Sequence, residues 1–212
     1  MAGSSKDELT AYEENTGFYH QLGLAITAWA HVELALMWVF GSCFTKHTQQ
    51  RAVITFYSIE NFRSKLQVVD RIFKTKHSRK KLIKTWEGLY VDLQRLSTLR
   101  NHLVHYFHMG YPTNRAGRRD ALIPQIGPST RYRQRTPKPP PGSLCIRDIM
   151  HARQRFNALA FGLEFLVYEI KKQKTQLPAS LARPGNVPTM AYLTRQIRTI
   201  LQRPPSPSGG SP

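Results

Sequence analysis

Leu99-Arg100-Asn101-His102-Leu103-Val104-His105-Tyr106 closes the longest apolar-periodic segment of a 212-residue chain. Upstream, Trp86, Leu89, Leu93 and Leu96 step by three and four, and the series continues through Arg100 to Leu103. That spacing predicts one face of a helix running from about Arg79 to about Tyr106. Arg100 falls on the stripe that packing would bury. A guanidinium cannot shed its proton to escape burial, so it needs a partner or an open cleft.

Working outward, the next long helix is predicted over Thr16 to Cys43, with Leu22, Ile26, Trp29, Glu33, Leu36 and Phe40 on one face. Glu33 is a carboxylate at a core position, and burying it alone costs several kcal/mol. Two opposite charges stranded on two apolar faces predict that Glu33 meets Arg100, directly or through one intermediary. The alternative is that Glu33 faces a water-filled groove or a second subunit. Leu22 to Phe44 is also about 20 residues of largely apolar sequence, long enough to span a bilayer. His31 and Glu33 at its centre make a core helix the better reading, with no membrane span.

The remaining segments follow the same rules. A short helix is expected over Gln49 to Tyr57, then a break with capping residues from Ser58 to Asn61. A third helix follows, with Phe62, Leu66, Val69 and Phe73 on one face. Lys74 to Lys81 is a basic turn of the kind that suits a helix C-terminus. The last core helix is read from Leu144 to Gln173, with Ile146, Met150, Phe156, Leu163, Val167 and Ile170 inward. Between them, Phe107 to Ser143 is a long basic, proline-rich excursion, in which Ala121 to Ile126 and Arg131 to Arg135 are short extended pieces that allow a hairpin. Leu177 onward is punctuated by Pro178, Pro184, Pro188, Pro204, Pro205 and Pro207, which excludes a packed domain there; Met190 to Gln202 is long enough for one basic amphipathic helix. The fold expected is all-α: an up-and-down bundle of about five helices with a long basic loop before the last one. Its divisions are a polar segment at 1–15, a helical domain at 16–173 with the insertion at 107–143, and a largely disordered basic tail at 174–212.

Thirty-one Lys and Arg against 13 Asp and Glu leave a net charge of +18. Such an excess favours an anionic partner, nucleic acid first and an anionic membrane surface second. Hydrophobic residues make up 41%, enough for a folded body. Cys43 and Cys145 form neither a metal spacing nor a disulfide framework, and they read as reduced thiols of a cytoplasmic protein. The first 15 residues lack an apolar signal core.

The motif at the end of the long helix has chemistry of its own. Arg100-Asn101, three further residues, then His105 resembles the Arg-x4-His signature of HEPN domains. These are all-α bundles, many of them metal-independent endoribonucleases, and the resemblance covers the helical part from Thr16 to Gln173, of which only the motif matches closely. Arg100 and His105 lie roughly 140° apart round a regular helix, so one helix cannot aim both at one phosphate. Either the helix distorts near its end, or the site is assembled between two copies of the chain; the resemblance implies the second, a homodimer with both motif helices lining one cleft.

The reaction so implied is cleavage of single-stranded RNA with the ribose 2′-hydroxyl as nucleophile, so DNA would not be cut. An unperturbed imidazole, with a pKa of about 6.5, is the side chain that moves a proton near neutrality, and His105 supplies one. Arg100 offers a planar fork to two phosphate oxygens. Asn101 orients His105 or binds a phosphate oxygen. Glu33 and His102 are supporting residues, although His102 and His108 read by themselves as surface residues. The spacing of His102, His105 and His108 is poor for a metal, so no metal and no cofactor are expected. Arg115, Arg118, Arg119, Arg131, Arg133 and Arg135, with Tyr111 and Tyr132 interleaved, suit an electrostatic funnel with stacking platforms for RNA. The family resemblance further implies a toxin or defence effector with a cognate antitoxin or inhibitor. Two competing readings are a non-catalytic module that binds nucleic acid or a protein, and a peripheral membrane protein, which lacks an apolar anchor.

Overall fold

The computed structural model describes residues 4–112, 118–123 and 142–174. The protein is an all-α helical bundle with a small sheet. Among the described residues the α-helices are α1 (Ser4–Ser42), α2 (Gln49–Ser58), α3 (Phe62–Lys76), α4 (Lys80–His105) and α5 (Ile146–Lys174). A 3-10 turn, Lys46–Thr48, precedes α2. The strands are β1 (Phe107–Pro112), β2 (Arg118–Ile123) and β3 (Leu144–Cys145), in the order β1-β2-β3, with both pairings antiparallel. The chain divides into two compact units: residues 1–27 with 98–153, and residues 28–97 with 154–212.

The unit of residues 28–97 and 154–212 is purely helical among its described residues. Trp86, Leu89, Leu93 and Leu96 of α4 are buried, as their spacing predicts. On α3 the inward residues are Leu66, Val69 and Phe73, and the helix starts where Asn61 accepts a hydrogen bond from the Arg63 N–H at 2.8 Å. That satisfies one of the first-turn donors that a helix leaves without a partner. Trp29 packs edge-on against Phe62 and Phe156, with ring centroids 4.9 and 5.1 Å away. Phe73 and Trp86 stack at 5.1 Å, and the Trp86 indole donates to Asp70 at 2.8 Å.

The face of α1 is rotated from the expected one. Ile26 is exposed, while Ala28, Val32, Ala35 and Val39 are buried beside Trp29, Leu36 and Phe40. Small alanines let helix backbones approach closely, and a stripe drawn through large residues passes over them. The helix also begins at Ser4, twelve residues before the predicted start. Its stretch Thr16–Ser42 is long and apolar enough to cross a membrane by length and composition.

On α5, Phe156, Leu163, Val167 and Ile170 face inward as expected, and Leu159 and Leu166 join them. Ile146 and Met150 are exposed instead. The true stripe starts at Ile149 and Ala152, which keeps the steps of three and four in phase with Phe156.

The other unit, residues 1–27 with 98–153, holds the sheet and the end of α4. Phe18, Ala25, Leu103, Ala121, Leu122, Ile123, Ile149 and Ala152 are its buried apolar residues. Met109 packs with Ala121 and Ile123 on one face of the hairpin. A hairpin forms between 107–112 and 118–123, so its first strand begins two residues after α4 ends, and of the two extended pieces expected only Ala121 to Ile123 takes part in it. The extended piece expected at Arg131 to Arg135 lies outside the described residues, as does the tail from residue 175. Gly142, at φ 82°, supplies the left-handed turn before β3 that side chains with a Cβ resist. Asp148 then reaches back to the Cys145 N–H at 2.9 Å, the acidic half of a capping box at the start of α5. Arg153 donates to Gln21 at 3.2 Å.

Candidate functional site at the end of helix α4

Of the residues singled out by sequence, Arg100, Asn101, His102 and His105 belong to the unit of residues 1–27 and 98–153, and Glu33 belongs to the other. Arg100 is half-buried, and its Nη1 donates to the Asn101 Oδ1 at 3.1 Å. That bond joins neighbouring residues and engages one of five N–H donors. Among the described residues no carboxylate pairs with this guanidinium. Asn101 itself is exposed. His102 is half-buried and stacks on Tyr106, ring centroids 4.6 Å apart and 18° from parallel. His105 is exposed, and neither a hydrogen bond nor a ring contact holds its imidazole.

The helix does not distort here. It stays α-helical to His105, and the Tyr106 N–H bonds to the His102 carbonyl at 3.0 Å, one turn back. Arg100 and His105 therefore keep the roughly 140° separation of a regular helix.

The expected Glu33–Arg100 pair is corrected. Glu33 Oε1 accepts from the Trp29 indole at 2.7 Å, one turn away on α1, and Oε2 lies 3.7 Å from the Lys65 ammonium. Both partners are buried and both need what a carboxylate supplies: an acceptor for an indole N–H and a counter-charge for an ammonium. The Lys65 Nζ also sits 5.2 Å from the Phe56 ring and 5.7 Å from the Tyr57 ring. Glu33 is thus a structural carboxylate of the helical unit.

His108 overturns its own reading as a surface residue. Its side chain is 15% exposed and lies against Phe18 and Tyr19, both centroids at 4.9 Å. Its Nδ1 is 3.0 Å from the Tyr19 hydroxyl. Its Nε2 stands 3.1 Å from Asp120 Oδ1, an ionic contact whose N–H direction falls short of a hydrogen bond. Asp120 is 6% exposed. The strand register explains the meeting. His108 sits opposite Leu122, and Asp120, two residues earlier on β2, shares that face of the sheet. Gly110 is opposite Asp120 and brings no side chain to the place. The sequence signal was available in the alternation of β1 and β2, once the pairing of 108 with 122 was known.

Of the basic residues assigned to RNA, Arg118 and Arg119 lie on β2, where the backbone alone is described, and Tyr111 likewise on β1. Arg115, Arg131, Tyr132, Arg133 and Arg135 lie outside the described residues. Among the described residues no three His, Cys, Asp or Glu side chains group as metal ligands. Compared with known proteins, the chain matches no family model, no curated protein and no solved structure. The resemblance carried by Arg100 and His105 therefore stands on those residues alone.

Proposed function

We propose that this protein is a metal-independent endoribonuclease acting on single-stranded RNA, with its site completed by a second copy of the chain. The observation that carries the reading is Arg100: a half-buried cation with a carboxamide neighbour and, among the described residues, no carboxylate to balance it, on the helix turn before an exposed imidazole. A phosphate would fill the remaining donors of that guanidinium in its own bidentate geometry. His105, unbraced and exposed, is open to a ribose 2′-hydroxyl. Because the regular helix turns the two residues apart, the Arg100 of one protomer and the His105 of its partner supply the two halves. The net charge of +18 suits the polyanionic substrate. A toxin or defence role, held in check by a cognate inhibitor, is the biological setting that the HEPN resemblance implies.

The test is incubation of the purified protein with single-stranded RNA in chelator. Products ending in 2′,3′-cyclic phosphate are expected, lost in both Arg100→Ala and His105→Ala, and the same sequence as DNA remains intact. Mixing the two inactive variants restores part of the activity if the site spans two copies. One alternative has an observation in its favour: among the described residues no hydrogen bond or ring contact orients His105, which fits a module that holds RNA or a protein partner without cutting. RNA retained on the wild-type protein and never cleaved selects that alternative.

A further inference from the structure

The reaction proposed above leaves one proton unaccounted for. When the 2′-oxygen attacks phosphorus, the 2′-O–P bond forms and the P–O5′ bond breaks. His105 takes the 2′-hydroxyl proton. The departing 5′-oxygen is an alkoxide, strongly basic, and it needs a proton from a second group, since an imidazole accepting one proton is not free to deliver another in the same step.

The same unit contains a chain of three titratable groups in line: Asp120, 6% exposed; His108 with Nε2 3.1 Å from that carboxylate; and the Tyr19 hydroxyl 3.0 Å from His108 Nδ1, on a residue that is itself exposed. The buried end is anionic and the outer end is a phenol at the surface. Phe18 and Tyr19 clasp the imidazole between them, which fixes its ring plane. Among the described residues, Tyr19 of α1 and Asp120 of β2 are the titratable groups in contact with His108. His108 follows His105 by three residues, at most about 11 Å of backbone.

We propose that Tyr19, His108 and Asp120 form the proton-donating arm of the ribonuclease site, with the Tyr19 hydroxyl as the catalytic acid that meets the 5′-oxygen of the substrate; this rests on the ribonuclease reading. In the proposed cycle the protonated His108 ring is the relay, with its Nε2 turned to Asp120 and its Nδ1 to Tyr19. Its Nδ1–H donates to the phenolic oxygen, which leaves the Tyr19 O–H free to point at the substrate. Tyr19 gives its proton to O5′, and His108 passes its Nδ1 proton to the phenolate. Neutral His108 is then recharged from solvent. The products are a 2′,3′-cyclic phosphate and a 5′-hydroxyl, with every proton placed. His108 and Asp120 are positioning and relay residues; neither touches the substrate.

The experiment compares two RNA oligonucleotides, one natural and one carrying sulfur in place of O5′ at the position the wild type cuts. A thiolate leaves without a proton. Tyr19→Phe keeps the ring contacts and removes only the hydroxyl. The expected result is a loss of about 100-fold on the natural linkage, unchanged RNA binding, and wild-type rate on the sulfur linkage. Asp120→Asn slows cleavage of the natural linkage and leaves the sulfur linkage at the wild-type rate. Wild-type rate of Tyr19→Phe on the natural linkage overturns the relay and leaves the ribonuclease reading standing. Equal losses on both linkages overturn it too, because they assign Tyr19 to binding or structure. No cleavage by the wild type in chelator overturns both.

Discussion

The Trp29 indole donates to the Glu33 carboxylate across 2.7 Å, one turn along α1, and the other oxygen of that carboxylate faces Lys65 at 3.7 Å. One acid therefore serves two buried cores of need, a donor and a cation. Glu33→Ala removes both services at once and is expected to cost about 2 kcal/mol, below the value for a fully buried pair because Glu33 keeps some solvent access. Glu33→Gln keeps an acceptor for the indole and costs less. Arg100→Ala leaves stability within about 0.5 kcal/mol, since its hydrogen bond is to an exposed neighbour. Urea unfolding of the three variants measures this, and equal losses in Glu33→Ala and Arg100→Ala would refute it.

Arg155 offers the opposite case. Its guanidinium is half-buried on α5 and its Nε is buried without an acceptor. Residues 151, 152, 158 and 159, one turn either side, include no acid. Burial, then the nearby Arg95, push its pKa below the usual guanidinium value, and Asp92 opposes them only partly. Arg155→Met keeps most of the volume and removes the desolvated charge, so the variant is expected to be more stable by about 1 kcal/mol. Thermal unfolding at low salt reads the change. A lower midpoint would show that the guanidinium has an acceptor in solution.

Alkaline stability follows from two groups. Burial first, and then the hydrogen bond to Asp148, push the Cys145 thiol above its ordinary value. The unfolded chain then releases the thiol proton at lower pH than the folded one. The stabilisation is complete below the unfolded value of about 8.5 and is lost as pH rises through the folded value. Lys74 is raised as well, chiefly by its hydrogen bond to Asp70, so its contribution holds below the unfolded value of 10.5 and fades above it. The Lys74 part is small, because the side chain is largely in solvent. Cys145→Ser is expected to flatten the decline in urea midpoint between about pH 8 and pH 10, and Lys74→Met to change only the last part of the curve.

The cap of α5 gives a local test. Asp148→Ala frees the Cys145 N–H and removes a negative charge from the first turn, at a cost of about 1 kcal/mol; Asp148→Asn recovers part of it. Loss of amide-exchange protection confined to the first turn of α5 accompanies the change.

How much of this was legible beforehand depended on the range of the interaction. The α4 stripe, the Asn61 cap and the break before α3 are set by neighbours three or four residues apart, and those distances are fixed by the helix itself. Arg100 was recognisable as a charge on a packing face for the same reason. The phase of α5 was not, because Ile146 and Met150 extend one apolar series as plausibly as Ile149 and Ala152 start another. Which series turns inward depends on the surface it must fit.

Partners distant in the chain lay beyond any local rule. Glu33 declared itself as a carboxylate needing a counter-charge, yet no local spacing singles out Lys65 of α3 as the partner. The alternation around His108 has meaning only once its register is known; its burial arises from a strand pairing that brings Asp120 onto its face and from an α1 residue 89 positions away. Chain-local spacing names the groups whose charge or polarity must be answered. The three-dimensional packing selects which of many chemically adequate partners answers them, because only proximity, and not composition, discriminates between equal charges.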